Sequence, residues 1–451
     1  MSRLNMSALL RTAVLVSCCS LANGFSTPDN QVHSGEQSDI PTWLSDRLLA
    51  FDLKADTFES TGRGLQTLRD RNHGDLLLSV SESAAVTASS LIQQFPNIFQ
   101  PAIQASIEKY QKSFTEEQVM ALGLLILRDK DDPYVQSLPI QQFSVLTMPQ
   151  EIFSCFPSTY QRLIQAYEQY TQGLHEKLIG SLEGVDSKTL KLAQSPKDFL
   201  WAFATVRSRC LAVSDDDIVG TSANGEAFAS NKDGSRRVML PGFDLFNHRF
   251  GAKGNSDFKD GHYVFHSHDT YKKGEQVFIS YSSENGRDNL NMFMTYGFCP
   301  TDNPESMLCF DNQNLLEACA SARPAYFNAQ VLQQLEELLA KLGKNKELYV
   351  FDGSAKKAQS SLINGIAMME DIEKQFLPPS QPQDPDFAND VLQALLFVRQ
   401  QELERGLGLC GSMNWSSENA SWQPIVQSIQ TLLSIELENV SSPTANSICE
   451  T

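Results

Sequence analysis

Four short segments of this 451-residue chain hold residue types that could bind or react with a ligand: Gly62-Arg63-Gly64-Leu65, Val206-Arg207-Ser208-Arg209, Asp244-Leu245-Phe246-Asn247-His248, and Tyr281 with Tyr296-Gly297-Phe298. Glycines permit close backbone approach, a guanidinium offers a forked set of donors, and tyrosines offer aromatic walls with a polar tip. Each segment taken alone reads as ordinary structure: a turn, a salt-bridged arginine, a cap or a core aromatic.

Other motifs carry less. Gly406-Leu407-Gly408-Leu409-Cys410-Gly411 matches G-x-G-x-x-G, but a phosphate-cradling loop follows a strand and opens a helix. Here a helix ending at Glu404-Arg405 precedes it, so Gly406 is expected as a C-cap. His262, His266 and His268 share one strand parity, yet no cysteine lies near and Tyr263 and Phe265 occupy the other face, which reads as a half-buried strand. His175-Glu176 lacks the second histidine of H-E-x-x-H, and there is no G-x-S-x-G elbow. No metal site is expected.

The elements that would position the four segments alternate between short strands and longer helices. Asp75 to Val80, after the His73-Gly74 turn, reads as a buried strand. Thr115-Glu116-Glu117-Gln118 has the form of a capping box, with Phe114 and Val119 as a staple, and predicts a helix to Leu127. A helix is expected over Tyr160 to Leu182, and another after Ser195-Pro196-Lys197-Asp198, which offers a cap, a first-turn proline and an N-terminal acid. Tyr263 to Ser267 and Val277 to Tyr281, with a turn at Lys272 to Glu275, predict a hairpin. Beyond residue 320 the spacing of Val331, Leu332, Leu335, Leu338, Leu339 and Leu342 is helical. A proline-rich connector from Pro378 to Pro385 precedes a further amphipathic helix at Val391 to Leu396.

In this order the four segments resemble SET-domain protein methyltransferases, specifically the class typified by the Rubisco large-subunit lysine methyltransferase. The resemblance covers residues 44–305, and the helical tail resembles that class's substrate-binding domain by pattern. It implies an α+β fold: a split SET domain, a short-stranded β fold with a pseudoknot, at 44–95 and 199–305, a helical insert at 96–198 and a C-terminal all-helical domain at 306–440. It also implies a function, transfer of a methyl group from S-adenosylmethionine to a lysine of a folded non-histone protein, by an in-line displacement that needs alignment and no metal.

Carried onto this sequence, the resemblance makes Tyr296 the catalytic aromatic. It assigns Gly62, Arg63, Gly64, Leu65, Arg209, Asp244, Asn247 and His248 to the donor, with Arg209 on its carboxylate and Asp244 placed to orient Asn247. Leu211, Tyr281 and Phe298 would line the substrate channel. The chain departs from the family pattern at Ser282, where glycine is usual, in a longer loop from Ser282 to Asp288, and at Cys210-Leu211, where lysine enzymes of the class commonly carry an aromatic. Retained Tyr296 and apolar Leu211 favour lysine over histidine as acceptor. A catalytically silent interaction module on the same fold is the alternative from another class.

Composition agrees with a folded enzyme-sized chain. Hydrophobic residues make up 41% and charged residues 20%, and 36 basic against 54 acidic residues leave a net charge of −18, which disfavours nucleic acid as a partner. Arg3, Arg11 and the apolar run Ala13 to Ala22, ending in Ala22-Asn23-Gly24-Phe25, read as a signal peptide over 1–24, too short to span a bilayer. The Phe25 junction also resembles secondary-plastid presequences, so plastid and secretory destinations are both expected. Seven scattered cysteines remain beyond Cys18 and Cys19, without a C-x-x-C pair.

Overall fold

In the computed structural model, the described residues are 48–214, 235–252, 254–267, 269–281, 288–303, 307–325, 327–341, 348–352, 365–369, 386–415 and 420–441. The signal-peptide reading, His268, the loop at 282–287 and the Pro378–Pro385 connector lie outside them.

Two four-stranded sheets form the β part. One has the order β1-β4-β9-β8, built from β1 (Leu48–Phe51), β4 (Leu76–Ser81), β9 (His262–Ser267) and β8 (Gly254–Lys259). The other, β2-β3-β10-β7, takes β2 (Leu53–Phe58), β3 (Gly62–Thr67), β10 (Gln276–Ile279) and β7 (Asn247–His248). Strand β10 runs antiparallel to β3 on one side and parallel to β7 on the other. Segments about two hundred residues apart are thereby interleaved, and the Asn247-His248 pair is pinned beneath the strand that leads to Tyr281. This is the α+β arrangement expected, with the pseudoknot formed by β7 and β10.

The expected hairpin is not formed. Tyr263 to Ser267 pairs with β4 and β8, whereas Val277 to Ile279 belongs to the other sheet. The turn itself is present, with Glu275 N–H on the Lys272 carbonyl, but it follows a crossing bridge between Arg71 and Tyr271. Alternation fixes which face of β9 is buried, and Tyr263, Phe265 and Ser267 are indeed inside; it does not fix which strand lies alongside.

Between the two β portions of the chain lies a run of helices: α1 (Ala88–Gln94), α2 (Pro96–Tyr110), α3 (Glu116–Asp129), α4 (Ser158–Leu182), α5 (Ser187–Ala193) and α6 (Pro196–Arg209). Thr115 caps α3 through the full capping box with Gln118, and Ser195 caps α6 through the Asp198 N–H with Pro196 at the first position. Helix α3 is apolar nearly all round, because it is buried among α1, α6 and their neighbours. Helix α6 ends at Arg209 and leads directly into β5 (Leu211–Ser214), which pairs with β6 (Ser235–Val238).

Helix α7 (Asn289–Tyr296) follows the second sheet. The C-terminal part contains α8 (Asn312–Ala322), α9 (Ala329–Lys341), α10 (Phe387–Gly411) and α11 (Gln423–Ser441), and it is mostly helical. It also holds a two-stranded ladder, β11 (Met307–Asp311) with β12 (Leu348–Asp352), which the helical pattern did not reveal. Gly406 is not a C-cap. Helix α10 runs on to Gly411, and a Cβ at Gly406 would lie 2.2 Å from the Cys155 carbonyl, so the glycine is where the C-terminal helix touches the insert's backbone.

Candidate functional site

The four segments meet where the second sheet, the end of α6 and the end of α7 converge. Leu65, Leu211, Tyr281 and Tyr296 are buried in one apolar cluster, and Phe298, half-buried, packs against it. Tyr281 is the hub of an aromatic group: its ring centroid lies 4.9 Å from Tyr296, 5.0 Å from His248 and 6.4 Å from Phe298. Its hydroxyl donates to the Phe246 carbonyl at 2.8 Å and its backbone N–H to His248 Nδ1 at 2.9 Å. Accepting at Nδ1 fixes neutral His248 with its ring proton on Nε2. Burial, followed by the charge interaction with Tyr296, raises the Tyr281 hydroxyl well above its usual pKa, so it stays a neutral donor.

Arg209, 3% exposed at the C-terminus of α6, donates from Nη1 to the Asp244 backbone carbonyl at 3.1 Å and to Asp244 Oδ2 at 3.0 Å. Asp244 Oδ1 accepts the Gly242 N–H at 3.1 Å. Asp244 therefore orients Arg209 and not Asn247, which corrects the sequence expectation. A spacing of three residues does not bring the two side chains together, because a short 3-10 turn over Phe243–Leu245 precedes the extended Asn247. Asn247 Nδ2 instead donates to the carbonyls of Thr61 at 3.3 Å and Arg63 at 3.1 Å across the sheet.

Gly64 is required by this packing. A Cβ there would lie 2.6 Å from Asn247 Nδ2 and 2.4 Å from Gln276 Nε2, so the space that the glycine frees is taken by protein amides. Gly62 has φ 68°, a left-handed turn that begins β3. Arg63 extends from β3 to the Ser137 carbonyl at 3.3 Å, and burial with the nearby Arg209 charge lowers its pKa, partly offset by Asp244.

Two buried polar atoms here have no hydrogen-bond partner among the described residues: Arg209 Nε, a donor, and Asn247 Oδ1, an acceptor. Leaving such groups unmatched costs about 1–3 kcal/mol each. A ligand with both a carboxylate and an ammonium group would satisfy the two together, and an apolar aromatic wall adjoins them. That donor set fits the amino-acid end of S-adenosylmethionine.

The sequence expectation omitted Tyr134, Phe246 and Gln276. Tyr134, 2% exposed, comes from the helical insert and reaches the Asp244–Arg209 pair. Its one local signal is Asp132-Pro133-Tyr134, a capped turn that carries an aromatic in an otherwise polar stretch.

No family model matches the chain. It is 22% identical over 301 residues to SET domain-containing protein 4 of Homo sapiens, covering 64% of this chain and 64% of that protein's own length. The protein of the same description from Artemia parthenogenetica is 24% identical over 291 residues, 62% of this chain and 67% of that one. Among solved structures, the SET domain of LSMT bound to lysine and AdoHcy superposes with TM-score 0.54 at 15% identity, over 88% of this chain and 90% of that one. Rubisco LSMT bound to sinefungin and monomethyllysine gives 0.52 at 16% identity, over 88% and 91%. Interleaved β3, β10 and β7, a helical insert and a helical C-terminal part, matched at this coverage, make the chain by its fold a SET-domain protein of the LSMT-like class.

Proposed function

We propose that this chain is an S-adenosylmethionine-dependent protein methyltransferase that acts on a lysine of a folded non-histone protein. The observation that carries the reading is the pairing of a buried unmatched donor, Arg209 Nε, with a buried unmatched acceptor, Asn247 Oδ1, beside the Tyr281–Tyr296–Phe298 wall. Two solved structures of the same fold, described as bound to lysine with AdoHcy and to monomethyllysine with sinefungin, support it.

When bound, the donor supplies a methyl on a sulfonium: the amine's lone pair forms the N–C bond, the C–S bond breaks with its electron pair going to sulfur, and the new ammonium releases a proton to water. Arg209 and Asn247 would hold the amino-acid end, with the backbone of residues 62–65 and His248 alongside. Leu211, Tyr281 and Phe298 would flank an aliphatic stem, and exclusion of water by these apolar surfaces favours the neutral, nucleophilic amine. Tyr296 would orient that amine through its hydroxyl. The buried apolar Leu211, 5% exposed, supports lysine over the more polar histidine ring.

Calorimetric binding of S-adenosylmethionine, followed by transfer of a radiolabelled methyl into a lysate and mass spectrometry of the labelled residue, tests the proposal. Donor binding with methyl-lysine is the expected result. Labelled histidine would correct the acceptor, and donor binding with no labelled protein would leave a silent interaction module. A mature N-terminus read at Phe25 in the native source would support a cleaved leader there.

A further inference from the structure

The helical insert reaches the donor pocket at one point. Asp132 caps the single turn Pro133–Gln136 by accepting from the backbone N–H groups of Tyr134 and Val135 at 3.0 and 3.2 Å, which fixes the backbone of Tyr134. Its ring is fully buried, and its hydroxyl feels first burial, then the opposing charges of Asp244 and Arg209. At the end of the same turn the Ser137 carbonyl holds Arg63. Two groups from one turn of the insert therefore bracket the ion pair.

The charges in that place do not cancel. Arg209 and Arg63 carry two positive charges and Asp244 one negative, a surplus of one, which suits a single added carboxylate. Asp244 and an incoming carboxylate compete for the same guanidinium. A hydroxyl facing Asp244 draws that side chain's negative charge toward itself and holds its Oδ2 on Nη1, leaving the Nε edge of Arg209 for the ligand.

We infer that Tyr134 is a positioning residue for the donor's carboxylate, acting through Asp244 on Arg209, so that the insert tunes donor affinity as well as shaping the rest of the molecule. The inference rests on the pocket assignment proposed above. It predicts a selective effect: an interaction that works through the carboxylate should matter only for ligands that have one.

The test compares binding of S-adenosylmethionine and decarboxylated S-adenosylmethionine to the full chain and to Tyr134→Phe by calorimetry, with melting temperature as the check of folding. Loss of one hydrogen bond near charged groups should weaken S-adenosylmethionine about fivefold and change the decarboxylated donor less than about twofold. Loss of packing alone would weaken both equally, and that result, or no change in either, overturns the inference while leaving the donor pocket intact. If the parent chain binds neither compound, the pocket assignment fails and this inference with it. Should Tyr134→Phe not fold, Arg63→Gln removes the other insert-tethered group, with the same selective loss expected and the same equal loss overturning the inference.

Discussion

Arginine is buried in two contrasting ways in this molecule. In the helical framework each buried arginine faces two carboxylates: Arg237 lies 3.5 Å from Glu116 and 2.8 Å from Glu117, and Arg399 lies 3.4 Å from Glu402 and 3.7 Å from Glu436. In the candidate donor pocket the ratio is inverted, with Arg209 and Arg63 near the single carboxylate of Asp244. The protonation consequences run in opposite directions. Burial pushes the Glu116 and Glu436 carboxyls up to about 7 in spite of their arginines, while it lowers the pKa of Arg63. Excess acid can be relieved by taking up a proton, so the framework clusters close on themselves. Excess arginine cannot shed its proton near neutral pH, and only an anion from elsewhere relieves it.

The sharpest way to break this comparison is Arg209→Ala. It removes the proposed carboxylate anchor and strands Asp244, so S-adenosylmethionine affinity should fall at least about a hundredfold and stability by about 3 kcal/mol, read by calorimetry and denaturant titration. Loss of stability with donor affinity intact would make this cluster one more framework pair.

The acid-rich clusters make their own prediction. Glu116 and Glu436 have folded-state pKa values raised to about 7 from an ordinary 4.5, so their contribution is fully present below pH 4.5 and is lost as pH rises through 7. Each accounts for on the order of 3 kcal/mol across that window. Asp288 and Glu402 face Glu436 and oppose its ionisation, while Arg399 and the Tyr160 hydroxyl favour it. Urea titrations at pH 5 and pH 8 should show the chain less stable at pH 8, with the difference narrowed in Glu436→Gln. An unchanged difference in the variant would remove Glu436 from the account.

Tyr296→Phe sharpens the site side of the contrast. The hydroxyl is proposed to act on the reacting amine, so kcat should fall about tenfold to a hundredfold while donor affinity shifts less than about twofold, measured by methyl transfer and by calorimetry. The smallest effect expected is from Gly406→Ala, where a methyl meets the Cys155 carbonyl and costs about 1–3 kcal/mol of stability by overpacking, with donor affinity unaffected.

What could be read from sequence was local. The Thr115–Gln118 capping box and the Ser195 cap are formed as their residue types suggest, because both partners sit within three residues of each other. Alternation in β9 set its buried face. Pairing across distance was not legible: Val277 to Ile279 joined β3 and β7 in place of β9, Asp244 bonded Arg209 in place of Asn247, and Gly406 continued a helix in place of ending it. Two of the cysteines read as scattered, Cys155 and Cys410, have thiols in hydrogen-bond contact across the insert and α10, and that contact lowers the pKa of Cys155.

By itself the sequence determined where helices begin, which faces turn inward, and which residue types in which order could hold a sulfonium donor, since capping, alternation and side-chain chemistry act over a few residues. The tertiary structure alone decided which charges neutralise one another and which are left over. Arg209, Arg237 and Arg399 look alike in the text of the chain; their number of facing carboxylates is set by segments brought together from far along the backbone, in a low dielectric where each uncancelled charge is felt strongly.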